Sequence, residues 1–117
     1  MATSYAVLTE QEAVARLSQA YRALHANIVG YADTALLRYI EPIYARGTEE
    51  FAKMSRKATS DALDPEASAD IERYIANMDT DNPDKHLTWL SLAPMTARDS
   101  LYEAAKRAGR TPFEMRR

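Results

Sequence analysis

The chain has 117 residues and no cysteine, its formal net charge is −2, and 46% of its residues are hydrophobic. That length suits one globular domain with a single core, while the lack of cysteine excludes disulfides, thiolate catalysis and thiolate metal sites. A charged share of 27%, with no apolar run near the ~20 residues of a bilayer span, argues against a membrane protein. We therefore expect a cytoplasmic protein.

The longest helical pattern covers residues 9–46, after a predicted N-terminal tail at residues 1–8. Thr9 and Glu12 have the spacing of a capping box at its start. Apolar residues then recur at spacings of three and four, which place them on one stripe of an α-helix: Val14, Leu17, Tyr21, Leu24, Ile28 and Tyr31. The pattern predicts one long helix that bends at Gly30 or Pro42. Because Asp33 could cap a new helix, two helices meeting at 30–33 are the alternative.

Four or five shorter helices are predicted after this spine. Their start signals are N-cap residues, three of them followed by proline at the first helical position, and they lie at Thr48, Asp64, Asn82, Thr96 and Thr111. Residues 87–92 are apolar on several sides, which predicts that Trp89 is a core residue and that Pro94 ends its helix. Strand and hairpin signals are missing, so residues 9–117 are predicted to form one compact all-α domain.

The chemistry-bearing residues do not assemble into a catalytic or metal-binding motif. His25 and His86 have no second histidine or carboxylate at the spacing of a helical ligand pair; His25 suits a core boundary and His86 an exposed position. No nucleophile stands beside a base. We expect no enzyme activity, no metal and no cofactor. Several tyrosines lie on or beside apolar stripes and could line a small-molecule pocket: Tyr21, Tyr31, Tyr39, Tyr44, Tyr74 and Tyr102.

Charge is segregated along the chain. Residues 1–47 are neutral, residues 48–92 have a net charge of −5, and residues 93–117 have a net charge of +3. Unlike patches speed the association of partners at low salt. We therefore predict that the C-terminal cations bind an acidic protein surface: Lys106, Arg107, Arg110, Arg116 and Arg117. Contact with the acidic middle of the same chain or of a neighbouring copy is the alternative. Reversing the four arginines of this set to glutamate is predicted to leave the fold intact and to abolish binding of the partner.

Part of the same segment looks somewhat like the core of a helix-turn-helix motif. Ala105 stands four residues before a possible turn at Gly109, Thr111 could cap a recognition helix, and Met115 could pack back on the first helix. Arg110 departs from the motif, where an apolar residue is usual. The resemblance implies DNA binding by residues 97–117, with the basic side chains on phosphates.

These observations favour a non-catalytic cytoplasmic interaction or regulatory protein that acts through a helical protein–protein interface. The long stripe and its tyrosines predict a homodimer with that stripe at the interface. A DNA-binding regulator is the alternative hypothesis, and a small-molecule-binding helical protein is the third.

Overall fold

The computed structural model describes residues 7–116, which form four α-helices. They are α1 (Glu10–Tyr31), α2 (Thr34–Lys57), α3 (Pro65–Met78) and α4 (Pro83–Arg107), followed by one turn of 3-10 helix at Phe113–Met115, here called the C-terminal turn. In this part of the chain the only strand-like pairing is a single bridge between Thr9 and Ala62. The prediction of an all-α fold is confirmed, and no helix over residues 7–116 has the length and hydropathy to cross a membrane.

Consecutive helices run in opposite directions, with α1 and α4 in the middle. Each of these two packs against all three other helices. Over the described residues α2 and α3 pack on the central pair but not on each other, so they lie on opposite sides of it. Because α2 and α4 are separated by two reversals of direction, they run parallel. This parallel pair forms the groove described below.

The helix predicted over residues 9–46 is two helices. Ala32 is extended (φ −79°, ψ 139°) and ends α1, and the Asp33 carboxylate accepts a hydrogen bond from the backbone N–H of Leu36 at 2.8 Å to cap α2. The alternative of two helices meeting at 30–33 is therefore the observed one. α2 then continues through Pro42 and Gly47 to Lys57, so the predicted end before Gly47 and the new start at Thr48 are wrong.

The predicted helix end at Pro94 is also wrong, because α4 passes through it. A proline cannot donate to the carbonyl four residues earlier, which here belongs to Leu90. The buried Tyr21 hydroxyl donates to that carbonyl instead, at 2.6 Å. Thr96, predicted to cap a separate helix, lies inside α4 and its hydroxyl donates to the Leu92 carbonyl at 2.8 Å.

The core lies between α1 and its neighbours. Burial of the α1 stripe is nearly complete, with relative exposures of 2% or less for five of its six members: Val14, Leu17, Tyr21, Leu24 and Ile28. The expected core segment 87–92 is only partly buried. Leu90 is enclosed, whereas Trp89 is half-buried against Tyr74, with ring centroids 5.7 Å apart, and Leu92 is 44% exposed.

His86 was predicted to be exposed and is instead buried. It lies in the first turn of α4, where its ring stacks on Tyr31 with centroids 5.9 Å apart. Its Nε2 is hydrogen-bonded to the backbone carbonyl of Thr80. The short loop between α3 and α4 therefore folds over the ring and covers it.

The end of the bundle where α1 begins and α2 ends, here called the lower end, brings together three segments that are distant in sequence. The loop between α2 and α3 passes under the start of α1, where the backbone N–H of Glu10 donates to the Asp61 carbonyl at 3.0 Å. Of the tail predicted over residues 1–8, residues 1–6 lie outside the described residues. Leu8 is buried, and its carbonyl accepts a hydrogen bond from the Leu63 N–H at 2.8 Å. The C-terminal turn closes the same end.

Candidate functional site

Three of the predicted partner-binding arginines bind carboxylates of the same chain. Arg107 holds Asp64 with two hydrogen bonds, Nε to Oδ2 at 2.8 Å and Nη2 to Oδ1 at 3.1 Å. Arg110 Nη1 lies 3.1 Å from both Glu10 Oε2 and Asp61 Oδ2. Arg116 Nη1 donates to Glu10 Oε1. These contacts use the three guanidinium groups to hold the C-terminal segment on the lower end of the bundle.

The Glu10 carboxylate is the centre of this cluster and is fully buried. Besides the two arginines, it accepts hydrogen bonds from the backbone N–H and the hydroxyl of Thr59, both at 3.0 Å. Burial raises the pKa of Glu10, but the hydrogen bonds from Arg116 and Thr59 outweigh it, and the pKa lies below its ordinary value. The carboxylate therefore stays ionised and binds the cations tightly.

Two of the predicted cations remain, Lys106 and Arg117. Lys106 is exposed, with its Nζ 5.5 Å from the centre of the Tyr102 ring. Arg117 lies outside the described residues.

The recognition helix that the helix-turn-helix resemblance requires is replaced in the described chain by the single turn at Phe113–Met115. One turn of 3-10 helix cannot present the face that such a helix lays in the major groove.

The self-association stripe is buried inside the chain. Among its six residues only Tyr31 is exposed, at 43%, and its hydroxyl reaches the Pro83 carbonyl at 3.5 Å. The other five contact neighbouring helices of the same domain. The folded chain therefore cannot offer this stripe to a second copy, and self-association stays a prediction that needs another surface.

Aromatic residues on α1 and α2 form a layer between the two helices. The Tyr21 ring lies between Tyr44 and Phe51, with centroids at 5.5 and 5.2 Å, and His25 stacks on Tyr44 at 3.6 Å. His25 Nε2 is also 2.9 Å from a carboxylate oxygen of Glu41. Burial raises the pKa of the Tyr21 phenol above its ordinary range. These rings fill space in the structure, as packing between helices requires.

A groove between α2 and α4 has a volume of about 620 Å³. We call it the α2–α4 groove. Met95, on its α4 side, is 52% exposed, although methionine is a side chain that cores usually enclose. The uncharged residues that line the groove are Ile43, Gly47, Leu90, Ser91, Pro94 and Met95.

The rim of the α2–α4 groove carries charges of both signs. The exposed Arg46 has no ion-pair partner among the described residues, and Lys53 Nζ lies 3.3 Å from Glu50. Arg98 is less well satisfied than the C-terminal arginines. Its buried Nε has no hydrogen-bond acceptor within the described part of the chain, and the carboxylates beside it, of Glu50 and Glu114, lie 3.6 and 3.8 Å from its nitrogens.

The sequence reasoning missed this groove because its lining comes from two segments about fifty residues apart. Pro94 and Gly47 were interpreted as helix ends, so the helices that form the two walls were each predicted to stop at the groove. One signal was available: Leu92 and Met95 face the same side of α4 yet lie outside the stripe that Leu90, Ala97 and Leu101 predict. Of this pair only Met95 lines the groove, so the signal indicates an exposed apolar side of α4 and not the groove itself.

No group of three or more histidine and acidic side chains in residues 7–116 is placed to hold a metal ion. Comparisons of the chain with protein-family models, with curated proteins and with solved structures gave no match.

Proposed function

We propose that this protein is a non-catalytic interaction or regulatory protein that binds a segment of a partner protein in the α2–α4 groove. The observation that carries the proposal is the half-exposed Met95 beside an apolar floor. A volume of about 620 Å³ has room for several side chains. Methionine is enriched at protein interfaces because its flexible thioether adapts to different partners.

Several features favour a protein as the bound partner over a small molecule, and favour binding over catalysis. The groove follows two parallel helices and is open along its length, which suits a peptide segment laid between them. His25 packs on the α1–α2 layer and His86 lies in the first turn of α4, so neither lines the groove. DNA binding lacks comparable support, because Arg107, Arg110 and Arg116 hold internal carboxylates.

A second copy of the chain is the other candidate occupant. The rim has both cations and anions, so two copies related by a two-fold axis could present opposite charges to each other. This would relocate the predicted homodimer interface from the buried α1 stripe to the α2–α4 groove.

The proposal is tested with a displayed library of random peptides selected on the full chain. The selected peptides should lose at least about tenfold in affinity for Met95→Glu, equivalent to about 1.4 kcal/mol, because the carboxylate would be buried in an apolar contact. Val29→Glu is the matched control, since Val29 is 42% exposed on α1 and lies outside the groove. Equal affinities for the wild type and both variants would contradict the proposal.

Sedimentation velocity of the unliganded chain separates the two occupants. A dimer at micromolar concentration that Met95→Glu dissociates, and Val29→Glu does not, would assign the groove to a second copy. A monomer in all three proteins leaves the groove to a different partner.

A further inference from the structure

Beyond one end of the α2–α4 groove, a segment of the chain itself lies against the same two helices. The C-terminal turn packs on α2 and α4, and Phe113 is buried there. Phe113 and Glu114 line a smaller concavity of about 200 Å³, which shares Glu50, Lys53 and Arg98 with the α2–α4 groove. The surface that the C-terminal turn covers and the open groove are therefore adjacent, and we call the two together the channel.

Three contacts hold the C-terminal turn in its end of the channel. Phe113 is buried and lines the smaller concavity together with Met54. The Glu114 carboxylate lies 3.8 Å from Arg98 Nε, and the Glu114 backbone carbonyl accepts a hydrogen bond from Lys57 Nζ at 3.0 Å. An aromatic side chain followed by an acid is thus the pair of residues that this channel accepts.

The open end offers the same three kinds of contact. Its apolar cleft is formed by Ile43, Leu90 and Pro94. Lys53 lies one helical turn before Lys57 on α2, and Arg98 lines both ends with a buried Nε that lacks an acceptor in the described chain. Arg46, which has no ion-pair partner within residues 7–116, adds a second guanidinium at the open end.

We infer that the partner segment carries a large apolar side chain followed directly by an acidic residue, the pair that Phe113 and Glu114 form in the chain itself. The apolar side chain lies between Ile43 and Pro94, and the carboxylate binds Arg98 and Arg46. A carboxylate that completes a poorly satisfied guanidinium forms a charge-assisted hydrogen bond, which is stronger than one between neutral groups. This inference rests on the proposed function, because it names the chemistry of the partner for the same groove.

The test uses three capped synthetic peptides and the ¹⁵N-labelled full chain, followed by NMR. The probe is Thr-Pro-Phe-Glu-Met, and the controls replace its glutamate by lysine or its phenylalanine by alanine. We expect the probe to shift the amide signals of Ile43, Gly47, Ser91 and Met95, and each control peptide to bind at least about tenfold more weakly. Arg98→Gln, or Arg46→Gln where the first variant loses helicity, should remove the preference for glutamate over lysine. Lys106→Gln, which removes an exposed cation on the same helix, should retain it.

Three results would overturn the inference. Equal binding of the glutamate and lysine peptides would show that Arg98 and Arg46 do not select a carboxylate. Shifts confined to Met54 and the C-terminal turn would show that the probe only replaces Phe113. If library peptides depend on Met95 but show no preference for an acid after the apolar residue, this inference fails while the proposed function stands.

Discussion

Tyr21 and Gly47 lie where α1 and α2 approach each other most tightly. The backbone at Gly47 leaves room for the phenol and nothing more, because an added Cβ would overlap the Tyr21 hydroxyl and lie 2.5 Å from its Cζ. The same hydroxyl must keep its position to donate to the Leu90 carbonyl. Glycine is therefore required here by contact, since no positive φ is involved.

Gly47→Ala should destabilise the protein by about 1–3 kcal/mol, the range for overpacking a dense core, although alanine is the better helix former. Gly30→Ala is the control, because nothing lies within 4 Å of a Cβ at that site, and it should stabilise by up to about 1 kcal/mol. Urea unfolding measures both. A gain in stability for both variants would show that Tyr21 does not occupy the space beside Gly47.

Glu10 gives the protein a defined response to acid. Because its pKa in the folded state lies below the ordinary 4.5, the folded state binds the proton less readily than the unfolded state. Its contribution to stability is therefore fully present above about pH 4.5 and is lost as the pH falls through the folded-state pKa. Asp64 behaves in the same direction, since its hydrogen bonds to Arg107 lower its pKa.

The free energy of unfolding should therefore fall as the pH is lowered below about 4.5, and Glu10→Gln should flatten this dependence. At neutral pH the same variant should cost about 3–5 kcal/mol, because two partly buried arginines lose a charged partner. Urea titrations at a series of pH values give both quantities. An unchanged pH profile in Glu10→Gln would contradict the assigned environment of the carboxylate.

At the scale of the helices, the start signals at Thr9, Asp33, Asp64 and Asn82 are confirmed. The start signals at Thr48 and Thr96 and the stop signals at Gly47 and Pro94 are wrong. The capping box of Thr9 with Glu12 is confirmed, with hydrogen bonds of 3.0 and 2.9 Å, and so are the caps at Asp64 and Asn82. A cap is made by residues within one turn of each other, so a local sequence is enough to predict it. Pro94 leaves the Leu90 carbonyl without a donor from its own helix, and the donor is instead Tyr21, 69 residues away along the chain. No local sequence pattern shows this contact.

This explanation of α4 predicts an energetic coupling between Tyr21 and Pro94. Tyr21→Phe alone should cost about 1–3 kcal/mol, because it leaves the buried Leu90 carbonyl without a donor. In a Pro94→Ala background the alanine N–H can donate to Leu90 within the helix, so Tyr21→Phe should cost less there. A double-mutant cycle by urea unfolding measures the coupling. Strictly additive effects would mean that the hydroxyl does not substitute for the missing helical hydrogen bond.

At the scale of the whole molecule, ion pairs connect oppositely charged residues that are far apart in the chain. The positive C-terminal segment contacts Asp61 and Asp64 in the acidic middle, but its central partner is Glu10, in the neutral first part. The sequence showed that opposite charges were present, but not that Glu10 would be buried beneath the C-terminal turn. The structure therefore gives three of these arginines partners within the chain, and their binding of a partner protein stays a prediction.

The same pairing changes the predicted effect of charge reversal. Arg110→Glu combined with Arg116→Glu should cost at least about 3 kcal/mol, because each change breaks a buried pair and adds a repulsive carboxylate beside Glu10. Lys106→Glu is the control and should stay within about 0.5 kcal/mol, since Lys106 is exposed. Thermal unfolding followed by circular dichroism compares them. Equal stability of the double variant and the control would restore the view that these arginines are free.

The candidate groove was beyond the reach of the sequence for a related reason. Its two walls are known only when α2 and α4 are placed side by side, and that placement depends on helices that continue through Pro42, Gly47 and Pro94. Buried positions such as Leu17 and Ile28 follow from periodicity. The position of Met95 outside the α4 stripe follows in the same way, but its place in a groove does not, because that depends on which neighbours the fold supplies.

The NMR signals of the methionine methyl groups give the most direct test of the central proposal, which is that a partner binds in the α2–α4 groove. The chain has five methionines; Met95 lines the α2–α4 groove, Met78 is buried on α3, and Met115 is 67% exposed outside the groove. With ¹³C-methyl-labelled methionine and a peptide selected on the full chain, the account predicts that the Met95 methyl signal shifts in proportion to occupancy while those of Met78 and Met115 stay in place. A shift at Met115 with Met95 unmoved would contradict it and would place the binding surface elsewhere.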